Sequence, residues 1–250
     1  MKNSLSYQPF IIIGTARTGS TMLWSYLNSH PDILCLRGVY GSTNKINFGK
    51  FYDELPEEYH SSELIKLRNE RPIEFLENYV WKEYPKPFKA VGFKYFYDHD
   101  RHISNKQELI NYFKTNNAIK FLHLKRDNLL ATLFSYKRAL AQQQWTKANT
   151  GFRTSITVQE CKSYLQQILE NQNQFDEMFS DRTLQVSYDN LLKATEQTLQ
   201  EVLGFIDVKA ISLTTETKKN TETKLSDCIT NYTELKIHFK STDYAKYFYE

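Results

Sequence analysis

Gly14 and Gly19, with Arg17 between them and the hydroxyls of Thr18, Ser20 and Thr21 alongside, form a short stretch suited to holding an anion. Phe10-Ile-Ile-Ile13 precedes it, and Met22, Leu23, Tyr26 and Leu27 recur at helical spacing after it. An apolar, largely β-branched run of this length predicts a strand covered on both faces, so the join is strand, glycine turn, helix. The glycines permit a tight turn and close backbone approach. The free N–H groups of the helix start then face a ligand, with the positive end of the helix dipole behind them. Phosphate or sulfate is the chemistry such a cradle serves. Further along, Lys94, the pair Arg126 and Ser135, and the cluster Asp98-His99-Asp100-Arg101-His102 supply cations, a hydroxyl and titratable groups.

The spacing nearly matches the NTP-binding pattern G-x-x-x-x-G-K-[ST], with Thr21 where the magnesium-binding hydroxyl would be. Ser20 stands in place of the lysine. No side chain there reaches a γ-phosphate, so the loop suits a phosphate that is held without P-loop hydrolysis, with Arg17 as its fixed cation. A polar turn that merely caps a helix is the plainer alternative. A P-loop kinase or NTPase is disfavoured by Ser20 and by the lack of an aspartate directly ending a clean apolar strand.

The elements that must position these groups alternate. Ala90 to Tyr97 predicts a strand with Val91, Phe93, Tyr95 and Tyr97 on one face and Gly92, Lys94 and Phe96 on the other. Ile119 to Lys125 and Leu184 to Tyr188 predict two more. Helices are expected over 62–80 with a break near Pro72, from Asn105 to Phe113, from Asp127 or Asn128 onward, over 158–179, and from Leu191 to Phe205. In the third of these, Leu129, Leu130, Leu133, Phe134 and Leu140 form the apolar face, leaving Thr132, Ser135, Tyr136 and Arg138 off it or at its margin. After the helix stop Asn28-Ser29-His30-Pro31, a loop-rich region carrying Gly38, Gly41 and Gly49 is expected to about residue 60. The predicted fold is a single domain over 1–250. It is a three-layer α/β/α sandwich on a mostly parallel sheet, P-loop NTPase-like, with ligands beyond the carboxyl ends of the strands where Gly14, Lys94 and Arg126 meet. The weakly patterned segment from Thr214 to Glu250 is expected to wrap the domain or frame a ligand.

Composition narrows the field. A chain of 250 residues, 40% hydrophobic and 14% aromatic, can bury one substantial core. Thirty-two basic against 29 acidic residues give a net +3, too slight for bulk nucleic-acid or membrane binding. The N-terminal residues lack the apolar run of a signal peptide and no stretch approaches a membrane span, so a cytoplasmic protein is expected. Cys35, Cys161 and Cys228 have neither CxxC nor metal-ligand spacing and read as reduced core residues; no metal site is expected.

In this order the motifs resemble those of the sulfotransferases that use 3′-phosphoadenylyl sulfate (PAPS), in particular the bacterial carbohydrate and nodulation-factor branch. Arg17-Thr-Gly-Ser-Thr21 resembles the family's 5′-phosphosulfate loop (14–21 here), and Leu27-Asn-Ser-His-Pro-Asp32 its helix exit. Arg126-Asp-Asn-Leu-Leu-Ala-Thr-Leu-Phe-Ser135, within 125–138, is similar to the segment that binds the 3′-phosphate. Val186-Ser-Tyr188-Asp-Asn-Leu191 resembles a Y-E-D-L-type helix start. Lys218 and Lys219, within about 214–235, resemble the C-terminal segment that covers the nucleotide.

That resemblance implies an enzyme moving a sulfonate from PAPS to an acceptor hydroxyl, on a carbohydrate or lipid-linked metabolite, without a metal. Binding is implied for Arg17, Thr18, Gly19, Ser20, Thr21, Arg126, Ser135, Lys218 and Lys219, and catalysis for Arg17, Lys94 and His99. Two departures stand out. Arg126 and Ser135 are nine apart where many relatives have eight, which the turn absorbs unless Thr132 substitutes. Relatives also carry a Gly-Glu whose carboxylate is the base, whereas this chain reads Arg37-Gly38-Val39. His99 is therefore the first candidate base, since imidazole titrates near neutrality, with Asp98 and Glu54 next. His30 reads as a helix-stop residue and His123 as a satisfied core histidine. A protein that binds the nucleotide but has lost the base is the alternative from another class.

Overall fold

The computed structural model describes residues 5–42, 44–49, 55–145, 151–217 and 224–249. Among them run β1 (Gln8–Gly14), α1 (Ser20–Asn28), β2 (Ile33–Leu36), α2 (Ser62–Glu70), α3 (Pro72–Phe75, continued by a π turn to Val80), β3 (Ala90–Phe96) and α4 (Lys106–Thr115). There follow β4 (Lys120–Lys125), α5 (Leu129–Gln142), α6 (Val158–Phe179), β5 (Thr183–Ser187), α7 (Tyr188–Lys193), α8 (Thr195–Phe205), α9 (Leu225–Cys228) and α10 (Tyr232–Phe239). The strands form one parallel sheet in the order β2-β3-β1-β4-β5. β1 lies at its centre, and Gly14 is level with Phe96 on one side and Leu124 on the other. The single α/β sheet domain expected from the sequence is present.

Alternation along β1 sends side chains to two cores. Ile11 and Ile13 pack with Phe75, Phe93, Phe121 and Phe175 on one face; Phe10 and Ile12 pack with Leu23, Leu27, Leu199 and Val202 on the other. Gly92 faces the second core because Phe10 fills its place: a Cβ there would fall 2.4 Å from the Phe10 carbonyl oxygen.

Three expectations need correcting. The stretch 28–60 is not all loop, because Ile33–Leu36 pairs in parallel with β3 as the edge strand, from Ile33 opposite Ala90 to Leu36 opposite Phe93. All four residues are buried, so the strand shows no alternation, and it is too short to stand out from its loop flanks. In α5, Leu140 is 49% exposed, whereas Thr132 and Ser135 are buried. The buried face of the helix is concentrated in its first two turns, with Ala139 buried further along. Finally, the C-terminal region is not merely polar wrapping. Ile229, Tyr232, Leu235, Phe239, Tyr247 and Phe248 build a third core against Leu130, Phe134 and Leu165 of α5 and α6. Cys161 and Cys228 lie in it as free thiols, and Cys35 is free and buried in the second core.

Helix starts follow the local chemistry. Asn128 caps α5 by accepting the Ala131 N–H at 2.9 Å, and the Ser187 hydroxyl accepts the N–H groups of Asp189 and Asn190 at the start of α7. Ser187→Ala is expected to cost about 1 kcal/mol, read as a lowered urea midpoint with an unchanged m-value. No described helix is long and apolar enough to cross a membrane.

Candidate active site

The loop after β1 is shaped by close packing. A Cβ on Gly14 would fall 2.6 Å from the Leu124 carbonyl oxygen, and one on Gly19 2.3 Å from the Tyr188 ring. Gly19 also has φ +86°, a left-handed conformation that a side chain disfavours. Its carbonyl accepts the Met22 and Leu23 N–H groups that open α1. Thr18 and Ser20 are buried, and the Thr18 hydroxyl donates to the Thr15 carbonyl at 2.8 Å. Arg17 has φ 72°. A non-glycine residue in this region costs about 1 kcal/mol or more and persists where its surroundings over-determine it.

Those surroundings are cationic. Arg17 Nε donates to Ser135 Oγ at 3.0 Å, and the same guanidinium donates to the Trp145 carbonyl. Arg126 donates to the Arg17 carbonyl at 3.4 Å and lies 4.9 Å over the Tyr188 ring. Burial, then the charges of Arg138 and Arg126, push Arg17 below the ordinary arginine range, with Tyr188 opposing. Burial also lowers Arg126, against Tyr188 and Asp189. The two clusters seen in the sequence are thus contiguous: Arg17, Arg126 and Ser135 meet, joined by Arg138 one turn along α5. Thr132 does not substitute for Ser135, because its buried hydroxyl donates to the Asn128 carbonyl at 3.2 Å. Tyr164 of α6 lies beside Thr15 of the loop, and its ring is 6.5 Å from Tyr136 in a stacked arrangement. Nothing in the sequence marked Tyr164, which faces the loop only through the fold, and Arg138 stood out only as lying off the predicted apolar face of α5 or at its margin.

The carboxyl end of β3 carries a second group. Lys94 is 7% exposed, and burial followed by the charge of Arg37 lowers its amine to about 8, with Cys35 opposing. The His99 ring lies against the turn from Gly38 to Gly41, where a Cβ on either glycine would fall 2.8 Å from it. Burial and the charge of Lys94 push His99 down to about 3, opposed by a hydrogen bond to the Lys94 backbone. Lys94 and His99 are therefore brought together beside this turn, and Val39 within it is fully buried.

The rest of the His-rich cluster divides. Asp98 is exposed, while Asp100 is buried, accepting the Tyr95 hydroxyl at 2.8 Å and pairing with Lys106 at 3.0 Å. Asp100 thus holds structure. His30 is buried at the exit of α1, its two ring nitrogens engaged by the Asp32 N–H and the Lys209 carbonyl. His123 is a core residue, bonded to Tyr97 and Asp176. Glu54, Lys218 and Lys219 lie outside the described residues.

A strand, glycine loop and helix at the carboxyl edge of a parallel sheet, with arginines beside them, form an arrangement suited to phosphate-type anions. The sulfotransferase family model matches residues 9–211, and the chain belongs to that family. It is a sulfotransferase, an enzyme of sulfonate transfer, which removes the kinase reading. Nodulation protein H of Rhizobium tropici is 24% identical over 250 residues, covering 97% of this chain and 94% of the relative. Nodulation protein H of Rhizobium meliloti is also 24% identical, over 98% of this chain and 97% of that one. A sulfotransferase from Alicyclobacillus acidocaldarius shares the fold at a TM-score of 0.52 and 14% identity, over 92% of this chain and 90% of that one.

Proposed function

We propose that the donor is PAPS and the acceptor a hydroxyl on a carbohydrate or lipid-linked small molecule. The observation that carries the donor assignment is the gathering of Arg17, Arg126 and Arg138 about Ser135 and the loop. Like charges held together at partial burial repel one another, and a multiply charged anion relieves that repulsion. The chain's residues fit an adenosine bisphosphate: N–H groups and hydroxyls from Thr18 to Thr21 for the 5′-phosphate, and Arg126 with Ser135 for the 3′-phosphate.

In the reaction, the acceptor oxygen forms a bond to sulfur while the bond from sulfur to the bridging phosphate oxygen breaks, leaving 3′,5′-ADP. Arg17 and Lys94 neutralise charge that grows on that bridging oxygen. These cations supply the neutralisation, so the reading calls for no metal. His99, neutral throughout the physiological range, accepts the acceptor's proton. An anion beside Lys94 offsets the positive charge that depresses His99 and raises the basicity of its ring.

Calorimetry with 3′,5′-ADP and transfer of labelled sulfonate from PAPS to a panel of glycans and phenols test this reading. Arg17→Ala is expected to slow transfer by about tenfold to a hundredfold. Absence of 3′,5′-ADP binding by folded protein overturns the donor assignment.

A further inference from the structure

We propose that Arg37 is a further catalytic cation, forming with Lys94 a two-pronged seat for the sulfonate being transferred. The inference rests on PAPS as donor.

The placement follows from register. β2 pairs with β3 as far as Leu36 opposite Phe93, so the next residues, Arg37 and Lys94, are neighbours, and the Arg37 carbonyl accepts the Lys94 N–H at 3.1 Å. Cys35 and Arg37 share a face by alternation, and Cys35 packs in the core that contains α1. The Arg37 guanidinium accordingly lies 4.4 Å over the ring of Trp24 in α1. Trp24 is itself pinned, donating from its indole to the Cys35 carbonyl at 2.7 Å. It stands four residues, about one helical turn, beyond Ser20 at the start of the anion loop. Gly49 leaves room for the stack: a Cβ there would fall 3.2 Å from Arg37 and 3.3 Å from Trp24. Arg37 and Lys94 thus project together between the first turn of α1 and the carboxyl end of β3.

Neither residue forms an ion pair with a carboxylate among the described residues. Lys94 is more than nine-tenths buried, and its ammonium lies 5.7 Å over the Phe96 ring. A buried ammonium beside a second cation is unfavourable unless an anion joins them. Stacking on Trp24 fixes the arginine's plane and lowers the entropy lost when it grips. The sulfonate is the anionic group of the donor that would extend from the 5′-phosphate on the loop toward this pair. Transfer moves its sulfur from the bridging phosphate oxygen to the acceptor oxygen, and the two cations hold its remaining oxygens throughout.

Because 3′,5′-ADP lacks the sulfonate, it separates this role from binding of the nucleotide. Arg37→Gln keeps much of the stem on Trp24 and removes the charge. Its 3′,5′-ADP affinity by calorimetry is expected to stay within about twofold of wild type. PAPS binding, measured by competition with 3′,5′-ADP, and sulfonate release from PAPS to water are each expected to fall by about thirtyfold. Arg37→Lys is expected to recover part of both. An Arg37→Gln protein with wild-type PAPS binding and release overturns the inference while leaving the donor assignment intact. Parallel loss of 3′,5′-ADP and PAPS affinity also overturns it, by making Arg37 structural. Wild-type protein that binds no 3′,5′-ADP overturns both.

Discussion

Arg126→Ala is expected to weaken 3′,5′-ADP binding by about a hundredfold to a thousandfold. The magnitude follows from burial. Arg126 sits over the Tyr188 ring, and Tyr188 also fills the space beside Gly19, so one aromatic side chain fixes both the cation and the glycine of the loop. Removing the guanidinium takes away a bidentate partner for a phosphate and the hydrogen bond that steadies the Arg17 carbonyl. Arg126→Lys restores the charge without the fork and is expected to recover less than half of the lost free energy. The effect belongs to one phosphate. Wild type is expected to favour 3′,5′-ADP strongly over 5′-AMP, and Arg126→Ala to lose most of that preference. Calorimetry at one fixed ionic strength makes the comparison, since salt screens charges at the mouth of the site. An Arg126→Ala protein that binds 3′,5′-ADP within threefold of wild type places the 3′-phosphate elsewhere.

The glycine loop and its neighbouring cations were legible in the sequence because their parts are local. Strand, glycine turn and helix start are contiguous in the chain, and Arg126 and Ser135 flank a single helix entrance. The rest of the site was less so. Arg37 looks unremarkable in a loop-rich stretch, and it comes beside Lys94 only when β2 lies in parallel beside β3. Tyr164 lies in a polar, amphipathic helix and meets Thr15 only because α6 packs across the sheet end. The Asp98 to His102 cluster shows the same limit. Spacing could not reveal that Asp100 would turn inward to Tyr95, that His99 would settle on two glycines some sixty residues earlier, or that Asp98 would stay exposed.

Acidification is expected to destabilise the protein well before its carboxylates titrate, through His123. This residue lies on the central sheet with no exposed surface. Tyr97 lies 2.5 Å from its Nε2, and Asp176 2.7 Å from its Nδ1. Burial pushes Asp176 up, but hydrogen bonds from Lys125, Gln185 and His123 outweigh it and hold this carboxyl below the usual range. An ionised Asp176 can only accept, so Nδ1 carries the proton and Nε2 accepts the Tyr97 hydroxyl. Burial, then the Lys125 charge, lowers His123 to about 4, with Asp176 opposing. The unfolded chain protonates its histidines near 6.5, so between that value and about 4 it binds more protons than the folded chain. Stability from this group is therefore complete above pH 6.5, declines as pH falls, and levels off below 4. The loss is about 3 kcal/mol by pH 4 from the size of the shift. His99 acts with the same sign to a lower pH, since its folded value is about 3. Urea denaturation at intervals from pH 7.5 to 4 measures the slope, and imidazole NMR titration measures the two folded values directly. His123→Asn, which can neither gain a charge nor titrate, is expected to be less stable at pH 7.5 yet to show a shallower acid slope. A wild-type stability that stays flat from pH 7 to 5, or a His123 resonance that titrates near 6.5, would show that the core pays nothing to keep this imidazole neutral.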